Sequence, residues 1–388
     1  MRTSIYSPSV LFTIIWLFLL ILHDLNFFNI YIEQTLVHRL TVLLVIVSML
    51  IGCIIVQIFY AKKLYKKQTS RRYMIHHFKV KINHKLFLKI AIIGYLIEGM
   101  YHKGFPLLSI LGVLNYVQYH EFGIPGLHGL LNSFLYAGWL LCVFEGTINK
   151  RWNSKKWMIT AIFITMLLLS RQMLMTLLLQ AFLVNIMNRG LNVKRFVYLL
   201  LLVIFTLFLF AYLGGIRSGN DGISTFSGSQ SEINFLKIAF SWVYFYITSP
   251  INNFFYNLQI ESYYLPLNTI SSFFPNFVRS FLFNVLEFER IKLDLPYEIF
   301  NATTFIAKYY IDFGLHFISF YFIILGVVTE MIYLKAKYSL RYLCILVVIL
   351  HGIIFSFFAD LLFHIVFLFQ IFLISIVKIT YFKESRDG

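Results

Sequence analysis

Arg171 interrupts the apolar stretch "LLLSRQMLM", and Arg217 follows two glycines in "YLGGIRSG". A guanidinium stays charged at any relevant pH, is less strongly hydrated than an ammonium, and meets phosphate oxygens two at a time. Two of them at one depth on one side of a membrane make a site for an anionic phosphate. Taken alone, Arg171 reads equally well as a turn residue snorkelling to headgroups. Arg279 and Arg290 are of the same type, in a long segment where ordinary solvation is the plainer explanation. His128, between glycines in "FGIPGLHGLLNSF", and Asp312, in "IAKYYIDFGLHF", are the candidate proton acceptors. Each also has a structural reading, His128 as a hydrogen-bonded residue at a helix start and Asp312 as the N-cap of the helix after it. Asn301, Thr303, Lys308 and Tyr310 run into the same segment, Asn301 and Tyr310 as candidate substrate contacts, and Gly314 lets the following helix pack closely. His102, His120 and His316 belong to the same side without the spacing of a zinc site, so neither a metal nor any other cofactor is expected.

The elements that carry these residues are apolar runs close to the length a bilayer crossing requires. Of 388 residues 59% are hydrophobic and 13% charged. Backbone groups cannot stay unpaired in lipid, and the runs are too continuous for alternating barrel strands, so the crossings are expected to be helices. The reading is an all-α polytopic membrane protein, one integral domain over 1–388. Expected spans are 8–28, 39–60, 86–101, 126–146, 157–170, 172–188, 196–215, 313–334, 342–359 and 361–380. That gives ten transmembrane helices, or twelve if "FLKIAFSWVYFYIT" and "PLNTISSFFPNFVRSFLF" form an extra hairpin; both segments also read as interfacial or re-entrant. Cys53, Cys142 and Cys344 each fall inside a span and read as packing residues.

Charge sets the orientation. The linker 61–85 is the basic extreme of the chain and belongs in the cytoplasm by the positive-inside rule. Both termini then lie inside; most of the 33 basic residues fall on that side and most of the 17 acidic residues on the other. The net charge of +16 is accounted for by topogenesis and by attraction to anionic membrane lipids, which argues against a nucleic-acid partner. Two long segments remain outside, a partly re-entrant loop at 101–125 and a large periplasmic loop at 216–312. Arg171, Arg217, His128 and Asp312 all fall on this outer side. Trp242, Tyr244 and Tyr246 read either as sugar-stacking aromatics or as interface anchors.

The order "GIPGLHGLLN", "LSRQMLMTLL" between two short helices, "GGIRSG", a long outer loop, then "NATTFIAKYYIDFG" resembles the Wzy-type oligosaccharide repeat-unit polymerases of O-antigen and capsule synthesis, over about residues 100–330. The resemblance implies a GT-C-like membrane glycosyltransferase in the bacterial inner membrane. Its substrate would be an oligosaccharide linked to undecaprenyl pyrophosphate, and its partners would be a chain-length regulator protein and a flippase. It also implies that Arg171 and Arg217 receive the developing lipid pyrophosphate and that His128 or Asp312 accepts the proton of the acceptor hydroxyl. An O-antigen ligase delivering glycan to lipid A core is the nearest alternative, and a lipid-linked oligosaccharide flippase is the alternative from another class.

Overall fold

The computed structural model describes residues 6–27, 31–60, 78–110, 112, 122–149, 155–190, 192–194, 197–198, 201, 235–259, 266–285, 293–296 and 302–383. The helices in chain order are α1 (Pro8–Asp24), α2 (Leu36–Phe59), α3 (Lys85–Tyr101), α4 (Pro106–Ile110), α5 (Leu127–Asn149), α6 (Lys155–Leu167) and α7 (Arg171–Arg189). Then follow α8 (Phe235–Tyr256), α9 (Leu267–Ser271), α10 (Asn276–Val285), α11 (Phe305–Ala336), α12 (Leu340–Ile354) and α13 (Ile365–Ile376). The protein is mostly helical. Among the described residues four helices are long and apolar enough to cross a membrane, Leu36–Phe59, Leu127–Asn149, Phe317–Ala336 and Leu340–Phe357, and α1 and α13 are shorter apolar helices. The expected span at 196–215 lies mainly outside the described residues.

Two expectations need correction. One is the helix that follows Asp312. It is preceded by helical residues that start at Phe305, where the Thr304 hydroxyl accepts from the Ala307 N–H, and the two segments join across a break at Gly314 with φ 62° and ψ −179°; the part long and apolar enough to cross a membrane is Phe317–Ala336. That conformation is closed to side chains with a Cβ, so Gly314 is the joint between the two helical segments. Asp312 therefore sits inside the first half of α11, not at its cap. The other is a pair of short strands that the otherwise helical reading lacks. β1 (Phe78–Ile82) pairs antiparallel with β2 (Ile379–Lys383), Val80 opposite Tyr381. "FKVKI" alternates apolar and basic residues, the two-residue period of a strand. Val80 and Ile82 are buried, and α5 ties down the backbone beside them: Asn149 Oδ1 accepts from the Val80 N–H (2.9 Å), its amide donates to the Val80 carbonyl (2.6 Å), and Glu145 Oε2 accepts from the Ile82 N–H (3.1 Å).

The strand pair marks one end of the bundle. Arg341 at the start of α12 donates to the Val377 carbonyl just before β2 (3.0 Å), and Arg189 at the end of α7 donates to the Thr147 carbonyl of α5 (3.3 Å). Of the residues that the charge argument places inside, the described Arg189 and Arg341 lie at this end. The helices meet through small residues and polar ties, as expected where lipid tails compete with apolar side chains for every apolar contact. A methyl group on Gly52 of α2 would overlap the Ile323 carbonyl of α11, and one on Gly326 would overlap the Met49 carbonyl, so the two backbones touch. Trp139 of α5 donates to the Leu177 carbonyl of α7 (2.7 Å), Ser133 to the Val366 carbonyl of α13 (2.9 Å), and the buried amides of Gln180 and Gln370 exchange hydrogen bonds between α7 and α13.

Over the opposite end lies α8. Its Tyr244 hydroxyl donates to the Leu22 carbonyl at the end of α1, and Asn252 Oδ1 accepts from the Ile32 N–H and lies 3.2 Å from His23 Nε2. Asn257 exchanges hydrogen bonds with the backbone of Asp294, and Tyr310 of α11 donates to the Leu258 carbonyl, fastening the far end of α8 to the same surface. Trp242 and Tyr244 are buried by this packing, which leaves them no free face for a sugar.

Candidate functional site

At the end away from the strand pair, α3 finishes with Glu98 and His102, and the chain returns into α5 through "FGIPG". Glu98 is fully buried. One of its oxygens accepts from the Ile124 N–H (3.0 Å), and the other lies 2.8 Å from His128 Nδ1. The Gly123 N–H donates to His102 Nε2 (3.0 Å), and the Tyr95 hydroxyl, one turn below Glu98, donates to Asn132 Oδ1 (2.6 Å). Gly123 holds φ +107°, and a Cβ there would stand 2.7 Å from the His128 ring, so this position needs glycine for its backbone and for its neighbour alike. The return loop is thus stitched to α3 by two backbone N–H groups and packed on the imidazole.

Arg171 opens α7. The α6 to α7 turn passes through Leu169 at φ 51°, and the Ser170 hydroxyl caps α7 by accepting from the Met173 N–H. The helical hairpin divides where the sequence divides. Because α5, α7 and α13 run in the same direction, the ties from Trp139 to Leu177 and from Gln180 to Gln370 fix their registers. Counting back along each helix sets the half-buried Arg171 level with the first turns of α5 and with the residues just before α13.

Those residues belong to a second polar cluster. Asp360, in the turn between α12 and α13, accepts from the Lys308 ammonium (2.6 Å), the Tyr309 hydroxyl (2.9 Å) and the Phe363 N–H (3.2 Å). Burial, with Asp360 beside it, pushes the Tyr309 phenol well above its usual range. His364 caps α13, accepting from the Val366 N–H. Burial pulls its imidazole below the usual 6.5; Asp360 opposes this, while the Arg279 guanidinium and the Lys308 ammonium add to it. Arg279, on α10, also donates through Nε to the Ser271 carbonyl (3.2 Å). It belongs to a built cluster, not to the solvated loop that the sequence suggests.

Asp312 is buried beneath this cluster, and its two oxygens accept four hydrogen bonds. Oδ1 takes the Asn268 N–H (2.9 Å) and side-chain amide (3.0 Å); Oδ2 takes the Thr269 N–H and hydroxyl, both at 2.6 Å. It caps α9, forty-odd residues earlier in the chain. Burial raises its pKa, and the Thr269 and Asn268 hydrogen bonds pull it back. Four donors fill the lone pairs of a carboxylate, leaving none directed at a bound hydroxyl.

Of the sequence candidates, the structure brings His128, Arg171, Arg279 and Asp312 to one end of the bundle and gives Tyr310 a tie to α8. Arg217, Arg290 and Asn301 lie outside the described residues. Sequence reasoning passed over Glu98, Asp360 and His364. Glu98 did leave a signal, as a carboxylate inside the expected span 86–101, where an ionisable group calls for an explanation by default. Asp360 and His364 fall at the seam between two expected spans and look like loop residues. Searches of protein-family models, of curated proteins and of solved structures find no match to this chain.

Proposed function

We propose that the chain is a membrane glycosyltransferase that polymerises undecaprenyl-pyrophosphate-linked oligosaccharide repeat units at the periplasmic face of a bacterial inner membrane. The observation that carries the reading is the gathering of Glu98, His128, Arg171, Arg279, Lys308, Asp360 and His364 at the end away from the basic strand pair. In the reaction, the acceptor hydroxyl attacks the anomeric carbon of the donor glycan. The anomeric carbon–oxygen bond breaks, its electron pair leaves on the lipid pyrophosphate, and the hydroxyl proton passes to His128. Arg171, with Arg217, meets the growing negative charge, and guanidinium groups already in place do so without reorganisation. Arg279 and Lys308 add positive potential at the same end. The donor is already activated, so the step needs no nucleotide. Ten or twelve spans with both termini in the cytoplasm complete the reading.

One observation favours a second reading. Glu330 is buried near the strand-pair end, accepting from Ser7 (2.8 Å) and Gln57 (3.2 Å), and the Gln180 and Gln370 pair lies between the two ends. Polar groups at several depths suit a flippase, which must pass a sugar through the bilayer. Deletion of the gene followed by electrophoresis of the surface polysaccharide separates the two. Loss of a polymerase leaves lipid A core carrying a single repeat unit; loss of a flippase or of a ligase leaves bare core. Arg171→Ala at normal protein level should reproduce the single-unit product, and an unchanged ladder removes Arg171 from the site.

A further inference from the structure

We propose that Glu98 is the positioning residue for the proton acceptor: it holds His128 with hydrogen on Nδ1 and a bare lone pair on Nε2. The inference rests on the polymerase reading for its substrate, an acceptor sugar hydroxyl, but its geometry stands apart from that reading.

The hydrogen-bond inventory fixes the arrangement. The Ile124 N–H donates to Glu98 Oε1, and Oε2 faces Nδ1 at 2.8 Å, so one proton lies between carboxyl and imidazole. A carboxyl is ordinarily the stronger acid of the two, which puts that proton on Nδ1. A neutral ring then carries its free lone pair at Nε2. Nε2 has no hydrogen-bond partner among the described residues, and the side chain keeps 28% of its surface exposed, whereas that of Glu98 keeps none. The ring has little freedom to turn. Tyr95 meets it edge to face at 5.8 Å between centroids, Phe122 does so at 6.1 Å, and Gly123 closes a third side. Among the described residues the titratable groups against it are Glu98 and Tyr95 on α3 and, through the Gly123 N–H, His102; Arg171 and His364 stand at the starts of α7 and α13, the helices packed on α5.

This placement suits proton transfer. When Nε2 takes the acceptor's proton, the imidazolium appears beside a carboxylate that has no water to share it with, so the charge forms where it is already compensated. Asp312, with four donors on its two oxygens, offers no comparable lone pair.

The test uses the full chain purified in detergent, with lipid-linked repeat unit extracted from the deletion strain as substrate. Glu98→Gln preserves volume and the acceptor for Ile124 but removes the charge. His128→Gln should slow polymerisation by about 10²–10⁴. Glu98→Gln should fall by about 10² or more at unchanged KM. The double variant should be no worse than His128→Gln by more than about threefold, because the two act as one unit. Histidine ¹⁵N spectra, with the His128 signal assigned from its loss in His128→Gln, should show hydrogen on Nδ1 in the wild type and on Nε2 in Glu98→Gln, where the amide that keeps its oxygen for Ile124 presents a donor to Nδ1. Should Glu98→Gln fail to fold, Glu98→Asp takes its place and should keep the hydrogen on Nδ1. A wild-type rate in Glu98→Gln, losses that multiply in the double variant, or hydrogen still on Nδ1 in Glu98→Gln each overturns the proposal. A wild-type protein that never lengthens the repeat unit sinks the polymerase reading instead, and the spectra still decide whether Glu98 governs the ring.

Discussion

Asp312→Asn distinguishes a structural carboxylate from a catalytic one. The side chain accepts four hydrogen bonds, two from Asn268 and two from Thr269. In the amide, one oxygen keeps two of these donors and an NH₂ group confronts the other two. Rotation of the Thr269 hydroxyl, or a flip of the Asn268 amide, turns one donor into an acceptor. A backbone N–H remains, and it can do neither. One buried donor is left unpaired, at about 1–3 kcal/mol, and charge-assisted bonds become neutral ones at about 1 kcal/mol more. Relief of the buried charge, whose cost shows in the raised pKa, offsets part of this. The net expectation is a loss of about 2–3 kcal/mol, read as a melting temperature lowered by several degrees in detergent, because α9 comes away from α11. The polymerisation rate per folded molecule should stay within about threefold of wild type, whereas removal of a general base costs about 10²–10⁴. A variant that melts like the wild type yet polymerises a hundredfold more slowly would refute the structural assignment and restore Asp312 as the base.

Gly326→Leu places a branched side chain where a single methyl already overlaps the Met49 carbonyl, so α2 and α11 must separate; we expect poor recovery of folded protein by size-exclusion chromatography, while Gly112→Ala, where nothing lies within 4 Å of the added carbon, recovers like wild type apart from the strain of its φ of +71°. His364, with its pKa held below 6.5 by burial, binds a proton less readily folded than unfolded. Stability should therefore be full above about pH 6.5 and fall as the pH drops below that value, and His364→Asn, which keeps an N-cap for α13, should flatten that fall in thermal melts.

Hydropathy makes most of the helices legible. The apolar runs of α2, α5 and α12 announce themselves, and Arg171 betrays the α6 to α7 hairpin because one arginine splits a run too long for a single crossing. Hydropathy fails where a helix outlasts its apolar stretch. "FIAKYYID" sets Lys308 and Asp312 among its apolar residues, so the first half of α11 reads as loop, and its capping residue, Thr304, is hidden among the threonines of "NATTF". The strand pair is missed for another reason. Charge explains "FKVKI" well enough that its alternation goes unread, and its partner strand lies at the far end of the chain.

The site is less legible than the fold because partner choice in a membrane is not written in apolar pattern. Lipid tails satisfy Leu and Ile as well as a neighbouring helix does, so what sets which helix faces which is the polar and small residues. Those are the residues that pair over long stretches of sequence: Glu98 with His128, Lys308 with Asp360, Gly52 against α11. A single sequence shows each of them as a lone oddity in an apolar run. Only the packing brings Glu98, passed over beside a more conspicuous histidine, to 2.8 Å from Nδ1 of that histidine. If polar ties choose the helix neighbours, residues that position the chemistry and residues that assemble the bundle are drawn from one small set. Substitutions at Glu98 and Asp312 must then be scored for folding and for rate together, since either reading alone would assign the wrong role to one of them.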